Sequence, residues 1–231
     1  MSGQLEGKVV LVSGGDSTLS RAAAERASRE GAQVLPIDAS ASGVQAAAKR
    51  YGRLDALVNL LPDPLHWQPF AEKPEEDFAA VFAALRAATN AMRAAYPYLK
   101  ETRGRVVNVG SVYGASAFAH ISDRVTGDYA LQGLSRAVAV EWAKDGVLVN
   151  YLGPGALDIP EFQAWRKSHP QAIDQRIRGL ALQRLGDPVE DFGGALMFLL
   201  SDESCFIVGH PVLADGGQHL VAPVFEPGAN L

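Results

Sequence analysis

The stretch Val106–Gly155 reads VVNVGSVYGASAFAHISDRVTGDYALQGLSRAVAVEWAKDGVLVNYLGPG, and its order of elements decides the fold. It opens with an apolar run of strand length that ends at Ser111. After a long loop, Leu131, Leu134, Val138 and Trp142 recur at helical spacing, which predicts a helix from Asp128 to Trp142 with one apolar stripe. A second apolar run, Val147 to Tyr151, predicts another strand, and Pro154-Gly155 predicts a turn. Strand, helix and strand in that order make a βαβ pattern, the signature of a parallel sheet covered by helices.

The rest of the chain extends the same pattern. Toward the N-terminus, a strand from Lys8 to Ser13 meets the turn Gly14-Gly15-Asp16-Ser17-Thr18-Leu19-Ser20 and an Ala-rich helix, Arg21 to Arg29. The next strand, Gln33 to Ile37, ends in Asp38 and leads through a helix from Val44 to Tyr51 into a strand ending at Asn59. Phe78, Val81, Phe82, Leu85, Ala88, Met92 and Tyr96 place a long amphipathic helix at Glu75 to Leu99. Beyond the central stretch lie a helical segment from Glu161 to Gly179, a helix from Glu190 to Leu200, a strand from Pro211 to Ala214 and a tail from His219 to Leu231. The 231 residues contain no Pro/Gly/Ser-rich linker, so a single α/β domain spanning 1–231 is expected.

Composition removes several functions. The net charge is −5, and no run of Lys or Arg marks a nucleic-acid footprint. No apolar run has membrane length, and the N-terminus enters its first strand directly, so a cytoplasmic location is expected. The single Cys205 excludes an internal disulfide and reads as a small buried apolar residue. No metal site is expected.

Residue by residue, the central stretch resembles the short-chain dehydrogenase/reductase family, whose matching segment runs IVNISS, a loop, YxxSK, a helix ending near AVE, then IRVN and PG. Val107-Asn108-Val109-Gly110-Ser111, Ala139-Val140-Glu141, Val147-Leu148-Val149-Asn150 and Pro154-Gly155 stand in those places. The likeness continues at Leu185–Glu190, Phe198–Glu203 and Gly209–Gly217. It implies a Rossmann-like doubly wound parallel sheet in three α/β/α layers, and a nicotinamide-dependent oxidoreductase site. The retained catalytic position is Ser111, which in the family orients the substrate carbonyl. The family's tyrosine and lysine positions hold Arg124 and Asp128, and its active-site asparagine falls at Ala84. Arg cannot be deprotonated in a protein and has no acceptor, so Arg124 cannot take a proton from an alcohol. A carboxylate raises the pKa of a neighbouring acid and repels pyrophosphate, so Asp128 cannot replace the lysine. Tyr129 is the nearby phenol, but it lies about 100° further round the helix.

The cofactor positions implied by the resemblance are altered too. Against the family's TGxxxGIG, Ser13 and Gly14 match, whereas Thr18 and Ser20 replace two glycines, with left-handed strain at Thr18 or crowding at Ser20 as the expected consequence. Capping of the following helix by Ser17 or Thr18 is an equally good reading of this turn. Asp38 sits where an acid would select NAD, or answers to the aspartate of the family's DVTD. One βα unit near the adenine side is absent between Asp38 and Asn59. Asn59 keeps the first residue of the family's NNAG, while Leu61 and Pro62 replace its small residues. Leu157 suits the aliphatic residue after PG, but Ile159 stands in place of a threonine.

The likeness is therefore strongest where family subunits meet and weakest where cofactor and substrate react. The expectation is a non-catalytic subunit that binds no cofactor itself and pairs, as a heterotetramer, with a homologous active dehydrogenase. The two-subunit hydroxyacyl-CoA dehydrogenase of the benzylsuccinate pathway is an arrangement it resembles. One alternative is an NAD(P)-dependent oxidoreductase with an atypical site, and another is a cofactor-free enzyme or anion binder using Ser111 and Arg124. Arg124 and Asp128, spaced i,i+4, are expected to pair as a filler worth about 0.3–0.5 kcal/mol. The tail, with Val221, Val224 and Phe225, is expected at a subunit boundary.

Overall fold

The computed structural model describes residues 3–37, 40–61 and 66–220. Six strands form one parallel sheet: β1 (Val9–Val12), β2 (Gln33–Pro36), β3 (Ala56–Leu60), β4 (Arg105–Val109), β5 (Leu148–Pro154) and β6 (Pro211–Ala214). Their spatial order is β2-β1-β3-β4-β5-β6. The helices are α1 (Thr18–Arg29), α2 (Ala41–Tyr51), α3 (Glu75–Thr102), α4 (Ser122–Trp142), α5 (Pro160–Ser168), α6 (Pro170–Arg178) and α7 (Gly193–Leu200).

Successive strand residues face opposite sides of a sheet, so strands that are apolar throughout need cover on both. Val10, Val12, Val58 and Val107 pack with Ala23 and Ala27 of α1 and Leu196 and Leu199 of α7. Their neighbours Val9, Leu11, Leu57 and Val106 pack with Val44 of α2, Met92 and Leu99 of α3 and Ala139 of α4. The result is the three-layer doubly wound architecture that the sequence implies. The missing βα unit is visible in the topology: α2 carries the chain from β2 straight to β3, on the other side of β1, and β2 is left as an edge. The site-bearing crevice of such a sheet opens at the carboxyl ends of the strands where their order reverses, here β1 and β3.

Several local expectations are corrected. Helix α1 begins at Thr18, because Ser17 as N-cap accepts a hydrogen bond from the Ser20 N–H while the Ser20 side chain accepts one from the Ser17 N–H. Thr18 is therefore helical, and the expected left-handed strain is absent from it. The 161–179 segment is two helices, broken at His169-Pro170 because Pro starts a helix more readily than it continues one. Cys205 is exposed, not buried, since it follows a single 3-10 turn at the surface. Asp38, Pro62 and tail residues 221–231 lie outside the described residues. No helix among the described residues is long and apolar enough to cross a membrane.

Candidate active site

The carboxyl end of β4 delivers Ser111, and the adjoining strand delivers Tyr151, which pairs in register with Asn108. Helix α4, starting at Ser122, carries Arg124 and Asp128 one turn apart on its inner face. All four side chains are buried, Asp128 completely. A buried carboxylate must be paired or hydrogen-bonded, and Asp128 is both. Ser111 Oγ donates to its Oδ2 in a short contact, and the Ser111 N–H donates to its Oδ1 at 3.0 Å. Arg124 Nε donates to Oδ2 at 3.2 Å. The Tyr151 hydroxyl accepts from the Ser111 N–H at 2.9 Å, donates to the Ser111 carbonyl at 2.8 Å and lies 3.2 Å from Asp128 Oδ1.

The expected Arg124–Asp128 pair is thus present, but its character is different from that of an exposed filler. The two side chains are 4% and 0% exposed, so the pair is a buried one and not a surface filler. Burial, and then the negative charge of Asp128, push the Tyr151 phenol well above the ordinary tyrosine range. A phenol held that way does not release its proton near neutral pH. Tyr129, by contrast, is 53% exposed and plays no part in the network. Ala84 is half-buried on α3 and brings no polar group to the site.

Sequence reasoning missed Tyr151 and Gly110. A Cβ at Gly110 would collide with the Tyr151 hydroxyl and the Asp128 carboxylate, so the glycine makes room for the network. The available signal was a phenol inside the strand Val147–Tyr151, next to Asn150, paired with a glycine where the family has serine. Asn59 has a structural task instead of a ligand. Its Nδ2 donates to Asn108 Oδ1 at 2.9 Å, and Asn108 Nδ2 donates to Ser135 Oγ at 2.9 Å, which ties β3 and β4 to α4 in the interior.

At the first turn, Gly14 and Gly15 keep positive φ values of 112° and 64°, conformations that L side chains rarely adopt. The Ser20 hydroxyl folds back onto the Gly15 carbonyl at 2.7 Å. The space beside Gly14 is taken by Leu60, whose Cβ would lie 2.7 Å from a Cβ added there. A cavity of about 120 Å³ reaches Ser111, and Leu19 is the turn's contribution to its wall. Pockets for drug-sized ligands run to about 300–1,000 Å³, so this cavity by itself does not hold a nicotinamide dinucleotide; a second cavity of about 460 Å³ shares Gly155, Ala156 and Leu157 with it. Asp128 also places a carboxylate where the family's lysine holds the nicotinamide ribose. Arg124 is not part of the cavity wall, and the Ser111 hydroxyl is committed to Asp128, so the anion-binding pair Ser111 and Arg124 is not assembled. Among the described residues no three His, Cys, Asp or Glu side chains converge as metal ligands.

Comparison with known proteins agrees with the architecture. The family described as enoyl-(acyl carrier protein) reductase matches residues 4–219. The chain is 31% identical to the 12α-hydroxysteroid dehydrogenase of a Clostridium species, over 80% of this chain and 73% of that protein. It is 28% identical to the 3-oxoacyl-(acyl-carrier-protein) reductase of Vibrio cholerae, over 94% of this chain and 99% of that one. Among solved structures it resembles the ligand-free aldohexose dehydrogenase of Thermoplasma acidophilum, with a TM-score of 0.85 and 26% identity, covering 98% of this chain and 100% of that one. A dehalogenation enzyme superposes with a TM-score of 0.84 at 26% identity, covering 93% of this chain and 99% of that one. The βαβ order, the sheet topology and these matches together establish that the chain belongs to the short-chain dehydrogenase/reductase family of Rossmann-fold oxidoreductases.

Proposed function

We propose that this chain is a non-catalytic member of the family that assembles with, and supports, an active short-chain dehydrogenase. The observation that carries the reading is the buried Asp128 carboxylate, which holds Ser111 and Arg124 by hydrogen bonds at the centre of the site. A proton relay needs a group that can give and take a proton beside the substrate oxygen. Here the serine is engaged, Arg124 cannot ionise to a base, and Tyr151 is held protonated by burial. The partner would be a homologous active subunit in a heterotetramer, as in two-subunit hydroxyacyl-CoA dehydrogenases of the benzylsuccinate-pathway type, with the tail at the subunit boundary. The hydroxyacyl-CoA would then be the partner's substrate.

A second reading is an NAD(P)-dependent oxidoreductase that interconverts an alcohol and a ketone with an atypical site. The comparisons favour it over the first, because the matched relatives are dehydrogenases and reductases. The site geometry favours the first. An assay decides between them: the purified chain is tested with both reduced nicotinamides and a panel of ketones, alone and mixed with a homologous active dehydrogenase from the same organism. Sedimentation is run on the same samples. Turnover by the chain alone would establish the second reading. A stable monomer, alone and in the mixture, would overturn the assembly.

A further inference from the structure

The wall of the cavity that reaches Ser111 includes Gln218 and Arg176, polar side chains that the network around Asp128 does not use. Gln218, on the turn after β6, is 8% exposed and lines the cavity, yet its amide makes no hydrogen bond among the described residues. Its amide atoms are not among the fully enclosed ones, so a molecule entering the cavity can reach them. Arg176 of α6 lines the same cavity, half-buried, with no carboxylate partner among the described residues. Its guanidinium lies 5.8 Å from the centre of the Trp165 ring, a cation–π contact that holds the group without neutralising it. This contrasts with the neighbouring arginines Arg166 and Arg184, which pair with Asp174 and Asp191.

Beside Ser111 and Tyr113, the rest of the wall is largely apolar and includes Leu19, Ile159, Phe162 and Leu180. We propose that this cavity binds a small monocarboxylate, its apolar body against these side chains, its carboxylate on Arg176 and its second polar contact on Gln218. Guanidinium and carboxylate match as a fork of charge-assisted hydrogen bonds. The volume of about 120 Å³ limits the body of the ligand. A dry, closed cavity of about 150 Å³ accepts a benzene ring; this one is smaller but open to solvent, so a single ring or branched chain lying partly outside the enclosed volume is the upper limit. The site calls for no nicotinamide and no proton transfer, and it stands whether or not the chain pairs with a dehydrogenase.

Benzoate serves as the probe, with benzamide as its uncharged counterpart, in calorimetric titration of the full-length chain. Benzoate is expected to bind at one site per chain, and benzamide to bind roughly tenfold more weakly or worse. Arg176→Leu should reduce benzoate affinity by about tenfold to a hundredfold while leaving benzamide unaffected, and Arg176→Lys should retain part of it. Because Arg176 is only half-buried, circular dichroism is expected to find both variants folded; Gln218→Leu supplies an independent loss from the other wall. Equal binding of benzoate and benzamide, or benzoate affinity unchanged in both Arg176→Leu and Gln218→Leu, would overturn the assignment. Nucleotide binding is measured separately, so a result on either does not prejudge the other.

Discussion

The turn after β1 and the carboxyl end of β4 have both departed from the family pattern, and the two regions have responded differently. At Gly14–Ser20 the backbone path survives: two left-handed glycines remain, and Ser20 turns its hydroxyl back into the turn. At β4 the polar groups themselves are exchanged, and Ser111, Arg124, Asp128 and Tyr151 satisfy one another in the interior. A turn is a backbone property, and a short side chain that bonds locally can replace a glycine outside the left-handed positions. A proton relay is side-chain chemistry, and a new buried carboxylate must acquire its own donors.

Substitutions in the two regions are expected to differ in cost. The largest effect is expected at Asp128: Asp128→Ala removes the buried carboxylate that accepts from Ser111 and from Arg124 Nε, and breaking a buried pair costs about 3–5 kcal/mol. Urea unfolding checks this, and a loss under about 1 kcal/mol, the range of exposed pairs, would return the pair to the status of a surface filler. Next comes Gly110→Ala, whose methyl group meets Tyr151 and Asp128. Overpacking of that kind costs about 1–3 kcal/mol. The loss should shrink in a Tyr151→Leu background, and a double-mutant cycle without coupling would separate Gly110 from the network.

The turn should respond less. Ser17→Ala removes an N-cap and is expected to cost about 0.5–2 kcal/mol by the same unfolding measurement. A cost as large as that of Asp128→Ala would erase the distinction between the two regions. The smallest effect at neutral pH belongs to the Tyr151 proton. The folded phenol is raised above its unfolded value of about 10, so the contribution is fully present below that pH and is lost as pH rises beyond it. Stability should therefore fall in alkali by up to about 1.4 kcal/mol per pH unit from this group. Tyr151→Phe should lack that part of the slope; identical slopes would contradict the burial argument.

These effects also mark what was legible in the sequence. The sheet and its missing unit were readable because apolar runs and their order are local signals, visible at Val147–Tyr151 and at the direct passage from Tyr51 to Asn59. The i,i+4 pairing of Arg124 and Asp128 was readable for the same reason. Its burial was not, because the groups that enclose it come from β4 and β5, and only the tertiary fold brings Tyr151 beside Ser111. Leu60 shows the same limit: nothing local indicates that its side chain lies against Gly14, a residue distant in the chain. Cys205 failed in the opposite direction, since an apolar neighbourhood in sequence gave an exposed thiol in the fold.

The chain's own side chains occupy the place of the proton relay, and a buried carboxylate stands where the family's lysine holds the nicotinamide ribose. Calorimetric titration of the purified chain with NADH and NADPH tests it most directly. No saturable heat is expected with either nucleotide at millimolar concentration, because Leu60 lies against Gly14 and Asp128 is buried at the lysine position. Micromolar affinity for either one would contradict the account.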